Sequence, residues 1–200
     1  MIAQLTRRGF VVTCTACLAG CSVLPEESEP IEASATTPAE LPESSDYSVI
    51  VEDTPTIETT VTVDFSGDVE LTSRQDVIAT VFRRVYEGPA GNRFGLLTAP
   101  AVQVVDQPEV IRDPLTAVDD ARLVGLATDA DVGSVSEWSE DGAATLLGTE
   151  TSQLAATATI DGSEQDLARV RVRAGEDSVT AMVTNPDGVA PLFEAVTRDA

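Results

Sequence analysis

The sequence predicts an α+β domain, an antiparallel β-sheet of about six strands with two helices packed on one face. Three observations predict it. Residues Ile57–Phe65 alternate apolar and polar side chains, the period of a half-buried strand. Later apolar runs are joined by short turn signals at Glu140–Gly142, Ile160–Gly162 and Gly175–Asp177. Two segments, Leu115–Ala127 and Val189–Arg198, instead carry helical spacing.

Taken in order, the chain opens on an address rather than on fold. Arg7 and Arg8 precede a short apolar segment, Gly9–Gly20, and match a twin-arginine export signal. That segment closes on Leu18, Ala19, Gly20 and Cys21, the pattern of a lipobox, in which Cys21 becomes the first mature residue and carries lipid on its sulfur. It falls short of the roughly 20 apolar residues that span a bilayer. Residues 1–20 are therefore expected to be a lipoprotein signal peptide. The mature chain is expected to be exported and held at the outer face of the cytoplasmic membrane by the lipid on Cys21. An ordinary secretory signal, with Cys21 incidental, is the alternative.

Residues 21–46 are expected to be the lipidated cysteine and a disordered acidic stalk. The segment after Cys21 holds Pro25, Pro30, Pro38 and Pro42, seven acids and no base. So little apolar surface cannot offset the entropy of ordering. As a flexible coil, its 25 residues span roughly 25–30 Å.

Residues 47–200 are long enough for a single domain with one core. Ile57–Phe65 reads as a strand turned by Ser66, Gly67 and Asp68. Val77–Tyr86 is ambiguous. Its apolar spacing fits a helix that Ser73 and Asp76 would cap, but β-branched residues and the Gly88–Asn92 turn before the run Phe94–Val105 favour a hairpin. Leu115–Ala127 is a helix, with Pro114 near its start. Val132–Trp138, Ala144–Ile160, Leu167–Ala174 and Ser178–Thr184 are strands, the second bending near Gly148. After the turn Asn185–Gly188, Val189–Arg198 closes the chain as an amphipathic helix.

Composition excludes much chemistry. With 34 acids against 12 bases, the formal charge is −22; loss of Arg7 and Arg8 with the leader makes it −24. Every base is arginine, and the chain contains no lysine and no histidine. Self-repulsion would strain such a domain at low ionic strength, whereas molar salt shortens the Debye length to about 3 Å. This composition looks like adaptation to high salt; a docking surface for basic partners is the competing reading. A nucleic-acid partner is not expected, for want of a basic stripe. Without histidine or lysine there is no imidazole base, Ser-His-Asp triad, Schiff base or P-loop. Once Cys14 and Cys17 leave with the leader, Cys21 is the last cysteine, and no disulfide or Cys-metal site remains. No cofactor and no metal are expected, and the chain is expected not to be an enzyme.

The run Phe94–Val105, with the proline-containing loop and helix that follow it, and the stretch Ala144–Thr151 resemble an uncharacterised haloarchaeal family of twin-arginine-exported lipoproteins. The resemblance covers roughly residues 57–198 and implies a leader, a linker and this domain, with no known activity. The order of elements is also similar to small αβ sandwiches of the photosystem accessory and Mog1-like type, which implies a binding or assembly module.

The most pointed feature of the domain is Arg169, Arg171 and Arg173. On a strand these alternate residues share one face while Val170 and Val172 take the other. The row could bind an anion or an acidic partner. The plainer reading is pairing with cross-strand carboxylates. Of Arg83 and Arg84, only one could join such a row. Asp119–Asp120, Asp129–Asp131 and Asp161–Asp166 offer oxygen ligands for Ca²⁺ or Mg²⁺ but lack calcium-loop spacing, and read as solvated acidic turns. Trp138 reads as packing. The function expected is a non-enzymatic binding or interaction module of the cell envelope, taking an unidentified envelope protein or solute. A carboxylate-based hydrolase or a purely structural lipoprotein are the alternatives.

Overall fold

A computed structural model describes residues 29–43, 45–65, 71–104, 111–188 and 190–199. Cys21, Arg7, Arg8, and the turn expected at Ser66–Asp68 lie outside them. Order begins sooner than composition suggests. Strands β1 (Ile31–Ser34) and β2 (Ala39–Glu40) both fall within the expected stalk. β1 pairs in parallel with Val77–Thr80, and Ala39 and Leu41 are buried. The stretch 31–41 is therefore part of the folded unit, a correction to the stalk boundary at 46. Its few apolar residues suffice because each reaches a core built by distant strands.

β3 (Ser48–Asp53) and the long hairpin of β4 (Thr56–Phe65) and β5 (Leu71–Thr80) follow. Val81, fully buried and donating its N–H to the Pro55 carbonyl, separates β5 from β6 (Phe82–Glu87). The ambiguous segment is thus β, but divided between two sheets. β7 (Arg93–Pro100) completes a hairpin with β6 and leads to the short pair β8 (Val102–Gln103) and β9 (Ile111–Arg112).

The helix expected from Leu115 splits. Pro114–Ala117 is a 3₁₀ turn, whose start is capped by Asp113 accepting from the Leu115 N–H. Val118 is extended, and α1 (Asp120–Thr128) begins only after Asp119, whose carboxylate accepts from the N–H groups of Ala121 and Arg122. β10 (Val132–Val135), β11 (Ser139–Leu146), β12 (Thr149–Ile160), β13 (Ser163–Ala174) and β14 (Asp177–Thr184) then form an antiparallel series in which β10 and β11 both pair with β12, β12 with β13 and β13 with β14. Gly148, at φ +72°, makes a hairpin turn rather than a bend, with Leu147 also left-handed. Glu140–Gly142 lies inside β11 at a register shift rather than at a turn. The C-terminal helix shrinks to α2 (Ala190–Glu194), and β15 (Thr197–Arg198) pairs with β2.

The fold is accordingly mostly β, not the six-stranded α+β arrangement expected. Some 60% of the described residues are strand and 13% helix, so sheet rather than helix builds both cores. The central sheet is eight-stranded and curled, ordered β10-β12-β13-β14-β7-β6-β3, with β11 also pairing with β12. A separate sheet, β1-β5-β4, packs nearby.

The two helices do not share a face. On one side of the sheet, Leu97, Leu167 and Met182 meet Leu123, Val124 and Ala127 of α1 and the apolar side of β4 and β5. On the other, Phe94, Leu96, Val170 and Ala181 meet Phe193 of α2, Leu146 of β11 and the segment Ala39–Leu41. Gly95 is required where α1 crosses β7, since a Cβ there would lie 2.1 Å from the Ala127 carbonyl oxygen. Covering both faces demanded more strand than the apolar periodicity suggests.

Candidate arginine-lined site

Alternation along β13 places Arg169, Arg171 and Arg173 on the α1 side of the sheet, in line with buried Leu167. Opposite them on β14 stand Met182, Thr180 and Ser178. The structure thus brings the expected row together, and it also shows that its members differ.

Arg169 is the most enclosed. Its guanidinium sits 4.0 Å above the Trp138 ring, and Nη1 is 3.6 Å from an Asp120 oxygen that also accepts from the indole N–H at 2.9 Å. Trp138 therefore packs as expected, but as a platform for an arginine. Burial lowers the pKa of Arg169 from its ordinary value, and the charge of Arg171 adds to the shift.

Arg171 donates through Nε to the Thr180 hydroxyl at 2.8 Å and lies 3.2 Å from Asp113 Oδ2. Arg173 is exposed and donates only to the Gly175 carbonyl, with no carboxylate in ion-pair range among the described residues. Carboxylate pairing, the plainer expectation, holds for Arg169 and Arg171, but among the described residues not with a strand neighbour. The acids that approach the row come from α1 and from the 3₁₀ turn, which pack over it.

A fourth arginine joins from β9. Arg112, together with Asp113, Arg171, Arg173 and Ser178, lines a cavity of about 220 Å³. Among the described residues its guanidinium meets only its neighbour's carbonyl. On the other side of Arg171 a second cavity, about 210 Å³, is lined by Thr151, Ser152, Leu154 and Arg169. Sequence reasoning missed Arg112, Asp113 and Ser178. The Arg112-Asp113-Pro114 turn was visible as a loop, but nothing local says that it folds over β13.

The remaining candidates serve the fold. Arg83 ties β6 to the end of α1, binding Asp53, Asp129 and the Leu126 carbonyl. Arg84, on the opposite side of β6, binds Glu40 and Glu52. Neither joins the row. Of the acidic turns, Asp119 caps α1, Asp129 ends it in a left-handed conformation, and Asp161 accepts from the Asp131 N–H. Among the described residues no three Asp, Glu, Cys or His side chains gather as a metal site, and no helix is long and apolar enough to cross a membrane. A larger cavity, about 500 Å³, lies elsewhere, beside Tyr47, Pro89 and Pro191, and is lined by the acids Asp46 and Asp187 but by no arginine.

A family model described as a domain of unknown function, DUF6517, matches residues 34–199. It begins within the segment expected as stalk, in agreement with β2 and its partner β15. No curated protein and no solved structure matches the chain.

Proposed function

We propose that this chain, which belongs to the DUF6517 family of unknown function, is a lipid-anchored binding module of a halophile's cell envelope, non-enzymatic and presenting Arg169, Arg171 and Arg173 as its contact surface. One observation carries the reading. In a chain of formal charge −22, four of twelve arginines converge on two adjoining cavities, and two of the four have no carboxylate partner among the described residues. The convergence carries it rather than the missing partners alone, since Arg74 and Arg122 outside these cavities also make no ion pair among the described residues, whereas Arg83 and Arg84 are matched.

The anchor rests on Arg7, Arg8 and Cys21. Cys21 precedes β1 by ten residues, a tether of at most about 35 Å, so the domain works close to the bilayer. Changing Cys21→Ser should release the protein to the medium; continued membrane retention would sink the anchor. For the surface, the full-length lipoprotein in detergent and multi-molar KCl is compared with its Arg169→Gln/Arg171→Gln/Arg173→Gln variant for retention of envelope components. Loss of binding in a variant that still melts cooperatively supports the surface, and undiminished binding refutes it.

The alternative, a carboxylate-based hydrolase, has one supporting observation, the shared cavity of Asp46 and Asp187. It requires activity that falls when either acid becomes asparagine.

A further inference from the structure

Among the described residues, three buried side-chain atoms have no hydrogen-bond partner within the protein: Asp113 Oδ2, Arg171 Nη2 and Ser178 Oγ. All three residues line the same cavity of about 220 Å³, between β9 and the β13–β14 hairpin. Asp113 Oδ2 does face Arg171 Nε as an ion pair, which leaves Arg171 Nη2 and Ser178 Oγ as two unanswered buried atoms at one place, where folded proteins satisfy the large majority. Ser178 is only 5% exposed, and two further guanidiniums, Arg112 and Arg173, border the cavity without carboxylate partners among the described residues.

We infer that this cavity is a binding site for a small oxyanion that also carries a hydroxyl group, either a hydroxycarboxylate or a monohydrogen phosphate. The donors and acceptors define that class. Arg171 Nη2 and the Ser178 hydroxyl need an acceptor, and Arg112 and Arg173 supply positive charge for an anionic one. Asp113 Oδ2 stands 3.2 Å from Arg171 Nε, and its remaining lone pairs need a donor. A bare carboxylate would be repelled by Asp113, and an alcohol would leave the guanidiniums unanswered. An anion with its own O–H answers both.

The cleft is small, about 220 Å³, which suits a small anion. Strong screening in molar salt leaves contact hydrogen bonds, rather than the long-range field, to make the selection. This inference rests on the binding-module reading and names its ligand.

The test uses the full-length lipoprotein in detergent and multi-molar KCl. Its melting temperature is followed against inorganic phosphate, malate and succinate, the last being malate without the hydroxyl. A saturable rise of about 5–10 °C at a hundredfold excess over Kd is expected with phosphate or malate, and which of the two acts separates the sources. Succinate should bind at least tenfold more weakly than malate. Ser178→Ala and Arg112→Gln should each weaken binding at least tenfold while leaving a cooperative melt. No saturable shift with any of the three, saturable shifts of equal affinity with malate and succinate, or binding indifferent to both substitutions would overturn the site. If the anions fail while the triple arginine variant still loses an envelope component, the module reading survives and this ligand class does not.

Discussion

Two arginines flank the β13–β14 hairpin on opposite faces of the sheet, and they are used in opposite ways. On one face the fully buried Asp177 carboxylate accepts from the Thr36 N–H and hydroxyl and pairs with Arg198. Arg198 also donates to the carbonyls of Thr37 and Ala174. On the other face, one residue along, Ser178 is buried without a partner among the described residues, and Arg173 beside it is answered there by a single carbonyl. The clamp is saturated and the cleft is not. Saturation is what structural ion pairs need, since a buried charge without full compensation destabilises the fold. Unspent donors beside a cavity are what a ligand needs.

That contrast can be broken by substitution. The largest effect is expected at the clamp, where Arg198→Ala leaves Asp177 buried without its counter-ion. It should cost about 3–5 kcal/mol and lower the melting temperature by roughly 10 °C. A loss near zero would mean that the clamp is ornamental and the comparison empty.

Arg171 stands between the two situations, tied to Thr180 and Asp113 yet with one nitrogen unanswered. Arg171→Ala should cost about 1–3 kcal/mol in denaturant titration, because Asp113 loses its ion pair. The smallest effect has the opposite sign. Removing an unpartnered buried hydroxyl, Ser178→Ala should raise the ligand-free stability by about 1 kcal/mol while weakening anion binding at least tenfold. A destabilised Ser178→Ala protein would mean that the hydroxyl is already satisfied, and the cleft would lose its distinction from the clamp.

The same opposition explains what could be read from the chain beforehand. Local patterns succeeded where local physics decides. The alternation from Ile57 to Phe65 is β4, the left-handed Asp161 and Gly162 form a hairpin turn, and Arg169, Arg171 and Arg173 do share a face. Distant partners defeated it. Thr197 and Arg198 continue a helical pattern but are strand because β2 lies beside them, more than 150 residues earlier. Residues 31–41 look too polar to fold, yet the Leu41 N–H meets the Tyr86 hydroxyl and Ala39 the Thr98 hydroxyl. The start of α1 was misplaced because two aspartates, Asp113 and Asp119, each cap a separate turn. Three arginines of the site were legible as a row. Arg112, Asp113 and Ser178 were not, since only the folding of β9 over β13 gives them a common cavity.

The clamp also bears on how the protein is made. Thr36 and Arg198, joined through Asp177 and by a direct hydrogen bond, are 162 positions apart. While the ribosome is still translating β14, the N-terminal strand β2 has no β15 to pair with and Asp177 has no countercharge. Residues 31–41 have partners in β5, Tyr86 and Thr98 early, but the strand partner of β2 and the countercharge of Asp177 are made last, and contacts that span so much chain form late and slowly. A nascent chain halted before Arg198 would therefore carry a complete central sheet with an open flank. Quality control would meet that flank as a protease-sensitive end at residues 36–41.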